Sequence, residues 1–261
     1  MNERFRPGGK KDSNLETGIK DSTASWPCVV RDQVESLNDN QNPPSPPGKK
    51  GVFNAQPHIL PSQQEARRRN KMSAITRMSP LDLLDLNLTN LDPLTENYDL
   101  GFYLNYLTKW PSLFSTVKDR DAGVVGYIMG KLEEQHPSMK QSEHYTPWHG
   151  HITVLTVAPA WRRLGYARRL TEQLEQGSDI NDAWFVDLYV RAGNKVAVDM
   201  YKGMGYSVFR RVMNYYSDDP TGVSESGEDA FDMRKPCSRD KKLEHVRDKG
   251  EDFLVNPEDV S

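Results

Sequence analysis

A short basic turn that contains a glycine is the first place in this chain of 261 residues where the residue types favour chemistry. An apolar run ends at Val157, and the segment Arg162-Arg-Leu-Gly-Tyr-Ala167 leads into a helical pattern. If the helix begins near Gly165, backbone N–H groups of the turn lack helical partners and lie at the positive end of the helix dipole. A glycine lets an anion approach the backbone closely. The turn therefore predicts a pyrophosphate site, and the alternative is an ordinary strand-to-helix turn with a surface arginine pair.

Two histidines, His149 and His151, stand two positions apart on the apolar run before this turn. In an extended strand, residues at this spacing share one face. A zinc site needs a third and usually a fourth ligand, and His144 is the only nearby candidate. The sequence therefore predicts that the pair binds no metal.

A second helical segment carries a tyrosine that is a candidate proton donor. Ala197, Tyr201 and Met204 lie on one helical face, and Gly205 is placed to close the helix. Asn194 stands at its start, where its side chain can cap a backbone donor. On residue types alone, Tyr201 is core packing with its hydroxyl bonded elsewhere.

The elements that position these residues follow from the apolar spacing. Ser79 is a candidate N-cap for a helix in which leucines recur at helical spacing, and a short helix is expected at 102–107. A third helix presents one apolar face. The leucines of the first helix are Leu81, Leu84, Leu88 and Leu91, and the face of the third is Leu164, Ala167, Leu170 and Leu174. Strands are expected at 114–117, 124–132, 152–157, 184–190, 206–210 and 212–215.

This order predicts an α/β fold with a mixed central sheet flanked by helices. The first strands have short links and should be antiparallel, whereas the strand–helix–strand units should place parallel strands in the same sheet. We expect the folded domain to cover residues 73–238, with a charged C-terminal tail at 239–261.

Residues 1–71 have the composition of a disordered extension. They hold 8 of the 17 prolines but 3 of the 24 aromatic residues, so they bury little apolar surface. The net charge of the chain is −3, which argues against DNA binding, and no apolar run is long enough for a membrane helix. The two cysteines, Cys28 and Cys237, favour a reducing compartment over a disulfide framework.

Six ordered segments give the chain a resemblance to a known family. They are NLDPLTENY at 90–98, WHGHITVLTV at 148–157, WFVDLYVR at 184–191, VAVDMY at 196–201, YY at 215–216 and DMRK at 232–235. Together with the Arg-x-x-Gly-x-Ala turn, they resemble the GNAT superfamily of N-acetyltransferases. The resemblance extends over residues 72–240 and is closest to one branch, the catalytic subunits of N-terminal acetyltransferase B complexes.

The resemblance implies transfer of an acetyl group from acetyl-CoA to the α-amine of proteins that begin Met-Asp, Met-Glu, Met-Asn or Met-Gln. It assigns Tyr201 as the general acid that protonates the leaving thiolate, and Asn194 as a coenzyme contact as well as a cap. The implied cofactor-binding residues are Leu155, Thr156, Val157, Arg162, Arg163, Leu164, Gly165, Tyr166, Ala167 and Asn194.

The resemblance also implies a peptide site. In this site, His151 and Thr153 bind the side chain of the second substrate residue, and the paired tyrosines hold the peptide backbone. The implied substrate-binding residues are Glu96, Tyr98, His151, Thr153, Tyr215 and Tyr216. Because neighbouring strand residues point to opposite faces, one of the two adjacent tyrosines should point away from the peptide.

The implied partners are a large helical-repeat auxiliary subunit, nascent polypeptide N-termini and the ribosome, in the cytoplasm. Two alternatives remain open at this point. The same fold can acetylate a lysine or a small amine, or the chain can be a non-catalytic subunit that only binds its partner.

Overall fold

The computed structural model describes residues 73–92, 95, 97–136, 138, 140–142, 144–216 and 227–260. The predicted disorder of residues 1–71 therefore concerns a segment outside the described residues. Within them, eight strands form a single sheet. The strands are β1 (Ser73–Arg77), β2 (Phe114–Asp119), β3 (Gly123–Glu133), β4 (His149–Val157), β5 (Phe185–Arg191), β6 (Ser207–Tyr216), β7 (Glu228–Pro236) and β8 (Leu254–Val255). The α-helices are α1 (Asn87–Asn90), α2 (Leu100–Lys109), α3 (Tyr166–Ile180) and α4 (Lys195–Gly203).

The sheet is mixed, as the sequence predicts. Its strand order is β1-β2-β3-β4-β5-β7-β6-β8. The pairs β4–β5 and β6–β8 are parallel, and the other neighbours are antiparallel. Helix α3 connects β4 to β5, because parallel neighbours need a crossover.

Strands β4 and β5 separate soon after they meet. Their pairing is confined to Gly150 with Val186 and His151 with Asp187. Strand β5 instead pairs along its whole length with β7 on its other edge. The remainder of β4 therefore leaves β5, and a gap opens between the carboxyl ends of the two strands. Helices α3 and α4 both begin beside this gap, since they follow β4 and β5 directly.

Alternate residues of β3 enter apolar clusters on the two faces of the sheet. Val125 and Ile128 belong to the cluster that includes the α3 residues Leu170 and Leu174. Val124, Tyr127 and Met129 belong to a smaller cluster with the α2 residues Tyr103 and Tyr106. The pairing of β3 with β2 shifts register between Val124 and Gly126, which interrupts the alternation. Past this shift, Tyr127, Ile128 and Met129 alternate between the two clusters, so α2 and α3 flank the sheet on opposite sides. None of the helices in the described part of the chain is long and apolar enough to span a bilayer.

The prediction of one continuous first helix is wrong. Ser79 does begin it, and its backbone N–H donates to the Asp82 carboxylate at 2.8 Å. However, the segment is a 3₁₀ helix at Pro80–Asp85 and then the single turn α1. The buried side chains here include Leu86 and Thr89, so the helical register breaks between the two pieces. The leucines of the predicted face are instead exposed: Leu81 by 77%, Leu84 by 74%, Leu88 by 43% and Leu91 by 79%.

Strands β1 and β7 were not predicted, and the two strands expected at 206–210 and 212–215 are the single strand β6. Strand β7 escapes sequence analysis because its interior carries charges. Asp232 accepts hydrogen bonds from Arg210 at 2.8 Å and from Arg234 at 3.0 Å, all three buried. Buried charges paired in this way need the partner strand, which lies far away in the sequence.

The expectation of a charged tail at 239–261 is wrong for its described residues. The apolar residues near its end attach it to the sheet, because Leu254 and Val255 pair in parallel with β6. Val255 and Val260 are buried in the larger apolar cluster. The guanidinium of Arg247 lies 3.6 Å from the centroid of the Phe253 ring, which adds a cation–π contact to this attachment.

Of the two cysteines, the structure describes one, so the expectation about a disulfide stays a prediction. Cys28 lies outside the described residues, and the Cys237 thiol is free and half-buried. Burial, with Asp179 and Glu175 nearby, raises the pKa of this thiol to about 12. The thiol therefore stays protonated at neutral pH.

Gly250 tests how much the C-terminal segment stabilises the sheet. A Cβ atom at this position would lie 1.9 Å from the Val208 carbonyl oxygen of β6. We expect Gly250→Ala to lower the free energy of unfolding by about 1–3 kcal/mol, the usual effect of overpacking. Thermal unfolding of the full chain measures this. Gly203→Ala is the matched control, because a Cβ there meets no atom within 4 Å. Equal melting temperatures for the two variants would contradict the packing role.

Candidate active site

The turn after β4 has the predicted form. Helix α3 begins at Tyr166, and Gly165 is its N-cap with φ of 82°. Because this N-cap is a glycine, it offers no side-chain oxygen to the first N–H groups of the helix. A Cβ atom at Gly165 would meet no atom within 4 Å, so the space over the turn is open. Arg163 also has a positive φ, 64°, which turns the chain sharply just before the helix. The turn can therefore receive an anion on its backbone.

Arg162 holds the turn in place with its side chain. Its Nε donates to the Val157 carbonyl at 3.0 Å, and its guanidinium bonds to the Asp92 carboxylate at 2.5 Å. The side chain therefore connects the end of β4 to the segment after α1. If the Arg162 side chain bound the cofactor, as predicted, it would have to give up its bonds to Val157 and Asp92.

The other predicted cofactor residues in this region line the end of β4 and the first turn of α3. On β4, Leu155, Thr156 and Val157 are buried, and the Thr156 hydroxyl lies 2.9 Å from that of Thr95. Past the strand, Tyr166 is buried. Leu164 and Ala167 are partly buried and pack against the larger apolar cluster.

A carboxylate of β7 that sequence analysis missed fixes the loop from β5 to α4. The Asn194 side chain accepts a hydrogen bond from the Ala197 N–H at 3.1 Å, so the predicted cap is confirmed. Glu228 of β7 accepts a hydrogen bond from the Gly193 N–H at 2.9 Å and pairs with Arg191 at 3.2 Å. Glu228 thereby fixes the loop that leads to the cap. In the sequence, Glu228 is one of several nearby acids, including Glu225 and Asp229, so the sequence does not identify its partner.

Tyr201 lies on the predicted face of α4. Its side chain is fully buried, together with Ala197 of the same face. The ring meets Tyr206 edge-on, with 5.5 Å between the ring centroids. The helix that carries it begins at the rim of the gap between β4 and β5. This placement is compatible with core packing and with proton donation into the gap.

The two histidines share one face of β4, as predicted, and meet two carboxylates. His151 Nδ1 lies 2.8 Å from Asp187 Oδ1. His149 Nδ1 lies 2.7 Å from the Pro147 carbonyl oxygen, and its Nε2 lies 3.6 Å from Asp187 and 3.7 Å from Glu133. Glu133, not His144, is therefore the third residue of this group. Its ligand-type atoms and those of the two histidines lie within 4.8 Å of one another, a spacing that could also hold a metal ion.

Both carboxylates in this group are ionised at neutral pH. Burial raises the pKa of the Asp187 carboxyl, but His149 and His151 outweigh burial and hold that pKa below its usual range. Burial likewise opposes ionisation of Glu133, but His151, Lys131 and His149 lower its pKa. The group thus brings two carboxylates and two imidazoles together on three neighbouring strands.

The predicted peptide residues come from two sides of β4. On one side, the Thr153 hydroxyl lies 3.0 Å from the Tyr106 hydroxyl of α2. The ring of Tyr98 stacks on that of Phe102 in the same helix, at 4.5 Å. Tyr98 and Thr153 therefore both contact α2. Glu96, the remaining predicted residue of this loop, lies outside the described residues.

The paired tyrosines lie at the end of β6 and face different surroundings. Tyr215 stacks on Tyr189 at 4.8 Å, and Tyr189 lies 6.0 Å from His151, both measured between ring centroids. The ring of Tyr216 instead lies 4.1 Å from the Arg191 guanidinium. Tyr215 is thus the one that approaches the histidines, which agrees with the expectation that one tyrosine points away.

A split mixed sheet with an open, glycine-capped helix start at the gap defines a coenzyme A-dependent acyltransferase type of site. The chain matches the acetyltransferase (GNAT) family over residues 82–206. It is 48% identical over 193 residues to the N-terminal acetyltransferase B complex catalytic subunit naa20 of Schizosaccharomyces pombe, covering 73% of this chain and 99% of that protein.

Solved structures give the same result. Chaetomium thermophilum Naa20, in complex with a bisubstrate analogue, is 54% identical with a TM-score of 0.69, and the match covers 72% of this chain and 99% of that chain. A chain of a NatB acetyltransferase complex bound to CoA and MES is 39% identical with a TM-score of 0.53, covering 63% and 99%. This chain therefore belongs to the GNAT acetyltransferases, in the group of N-terminal acetyltransferase B catalytic subunits.

Proposed function

We propose that this chain transfers the acetyl group of acetyl-CoA to the α-amine of protein N-termini, as the catalytic subunit of an N-terminal acetyltransferase B complex. Its substrates begin Met-Asp, Met-Glu, Met-Asn or Met-Gln. The observation that carries the proposal is the gap between β4 and β5, flanked by the open first turn of α3 on one side and by the start of α4, which Asn194 caps, on the other. Ligands of open sheets with parallel strands bind at such a gap, beyond the carboxyl ends of the strands.

In this proposal, residues 163–167 hold the pyrophosphate of acetyl-CoA. The positive φ of Gly165 and the open space above it leave the N–H groups of the first turn of α3 available to phosphate oxygens. Asn194 and the loop that Glu228 fixes border the same gap from the α4 side. The thioester then lies between the two strands.

The acetyl transfer needs three events at the gap. The neutral α-amine, whose usual pKa is about 7.7–8.0, attacks the thioester carbonyl, so that a C–N bond forms and the C–S bond breaks. Backbone N–H groups at Leu155–Val157, which β5 does not pair, stabilise the oxyanion. Tyr201 then gives a proton to the leaving thiolate, which a phenol with a pKa near 10 can do. The nitrogen of the new amide loses one proton to solvent, and the phenol takes a proton back from solvent, so the step balances.

The peptide lies against the residues that converge on β4. His151 and Thr153 face the side chain of the second substrate residue, Tyr98 borders it from the α2 side, and Tyr215 and Tyr216 border it from the end of β6. Tyr106 supports this arrangement, because its hydroxyl is within hydrogen-bond distance of Thr153. Glu96 belongs to the same loop as Tyr98 and completes the proposed set.

An auxiliary subunit with helical repeats is the proposed partner, and the exposed leucines support it. Leu81, Leu84 and Leu91 lie on two short consecutive helices and are each more than 70% exposed. Exposed leucines that follow one another on a surface are typical of a protein interface. We place the complex in the cytoplasm, at ribosomes, where nascent N-termini emerge. The proposed catalytic and coenzyme-binding residues all lie within residues 73–238.

The experiment that tests the function uses the full chain, with and without the auxiliary subunit. Peptides that begin Met-Asp, Met-Glu, Met-Asn, Met-Gln and Met-Leu, each with one internal lysine, are incubated with acetyl-CoA. We expect mass spectra with acetyl on the α-amine of the first four peptides. Acetyl on the lysine would favour the alternative of a lysine acetyltransferase, and no transfer with intact partner binding would favour a non-catalytic subunit.

A charge placed at Gly165 tests the pyrophosphate site. Gly165→Glu points a carboxylate into the open space over the turn and should abolish acetyl-CoA binding, measured by calorimetry. Gly165→Gln is the matched control, since it carries the same backbone strain and nearly the same volume without the charge. We expect Gln to weaken binding and Glu to weaken it much further. Equal affinities for the two variants would show that no anion binds at this turn.

Removing one hydroxyl tests the proton donor. Tyr201→Phe keeps the packing of the ring and should lower kcat by about 10²–10⁴-fold, the usual contribution of general acid catalysis, with little change in acetyl-CoA affinity. Tyr206→Phe is the control, because that buried ring touches Tyr201 and loses the same group. If both variants keep wild-type kcat, water protonates the thiolate and Tyr201 is a packing residue.

A further inference from the structure

The last pair of residues joined across β4 and β5 is His151 and Asp187. Both side chains are buried, with exposed fractions of 3% and 2%, and Nδ1 and Oδ1 are 2.8 Å apart. The function proposed above uses His151 and leaves Asp187 without a role. We propose that Asp187 is a positioning residue, which acts through His151 to select a polar second residue in the substrate. This inference rests on the proposed function.

The hydrogen-bond chemistry of the pair determines which nitrogen of His151 carries hydrogen. Asp187 is ionised, so its oxygens only accept hydrogen bonds. His151 Nδ1 must therefore be the donor in this pair. Nε2 is then the nitrogen left for the peptide, and the ring orientation follows from the bond to Asp187.

The hydrogen bond between His151 and Asp187 also favours the binding of an acidic substrate side chain. To bind a carboxylate, Nε2 must also carry hydrogen, which makes the imidazole positive. A buried carboxylate on the opposite nitrogen stabilises the imidazolium that forms, as in the Asp–His pairs of serine hydrolases. An amide side chain can instead be bound by either form of the ring, whereas leucine leaves Nε2 unpaired and loses affinity.

Other side chains surround the pair of His151 and Asp187. His149 Nδ1 donates to the Pro147 carbonyl, which only accepts, and His149 Nε2 lies 3.6 Å from the second oxygen of Asp187, beyond hydrogen-bond distance. The His149 ring stacks on Phe185 at 5.0 Å and is fixed by that contact. Glu133 is paired with Lys131 at 2.5 Å. His149 is thus a second histidine beside Asp187, and its approach to Asp187 does not involve His151.

The test is a double-mutant cycle on the full chain in its active complex. Wild type, Asp187→Asn, His151→Ala and the double variant are assayed with Met-Asp and Met-Leu peptides. We expect Asp187→Asn to lower the Met-Asp to Met-Leu ratio of kcat/KM by about 10- to 100-fold, the loss of one hydrogen bond to a charged group. The change should appear in KM for Met-Asp rather than in kcat. In the His151→Ala background, Asp187→Asn should change the ratio no further.

Two controls separate positioning from general support of the fold. Asp232→Asn removes an equally buried carboxylate on the next strand, and we expect a lower melting temperature with an unchanged peptide ratio. In a His149→Gln background, Asp187→Asn should keep its full effect on the ratio. ¹⁵N spectra supply a measurement without peptide: the His151 signal should report hydrogen on Nδ1 in wild type and lose this pattern in Asp187→Asn.

Several results would overturn the role of Asp187. One is an equal loss for both peptides, and another is an effect that adds in full to that of His151→Ala. A third is a stoichiometric metal ion in the purified chain that Glu133→Gln releases, because the group would then be a metal centre. Wild type that acetylates no peptide would instead overturn the proposed function. If the wild type prefers Met-Asp and Asp187→Asn keeps this preference, only the inference about Asp187 is overturned.

Discussion

The short contact between β4 and β5 is the constraint on which the rest of this structure depends. Two residue pairs join the strands, and the full pairing of β5 with β7 holds β5 away from the remainder of β4. The gap leaves the edge of Leu155–Val157 that faces β5 without a strand partner, while β3 still pairs with the other edge. It also places the starts of α3 and α4 on opposite sides of one opening. A continuous parallel pairing would satisfy those backbone groups and leave no space for a thioester.

The two ends of the split have different chemistry. Where β4 and β5 still touch, the Asp187 and Glu133 carboxylates meet the two histidines. Where the strands have separated, the surroundings are backbone groups and the glycine turn before α3. In the proposed complex, ionisable groups therefore contact the peptide side chain, and backbone N–H groups bind the coenzyme. This division explains how selectivity for the second residue can change without loss of acetyl-CoA binding.

Buried charges also hold the other half of the sheet. Asp232 of β7 pairs with Arg210 of β6 and with Arg234 of its own strand, and the Arg234 guanidinium lies 3.8 Å from the centroid of the Phe209 ring. The C-terminal segment covers the far edge of β6 through β8. Strand β6 ends at the tyrosines of the proposed peptide site, so these distant contacts support the site indirectly.

The sequence by itself determined the local elements of this protein. The spacing around Gly165 and the cap at Asn194 predicted two helix starts that the structure confirms, because both depend on neighbouring residues. The family resemblance and the mixed sheet followed from ordered motifs. Tertiary structure alone decided that β7 lies between β5 and β6, that the leucines after Ser79 face outward, and that Glu133 and Asp187 meet the histidines. These outcomes depend on partners that are distant in the chain. Sequence analysis assigns a charged residue to the surface unless the partner that allows its burial is known.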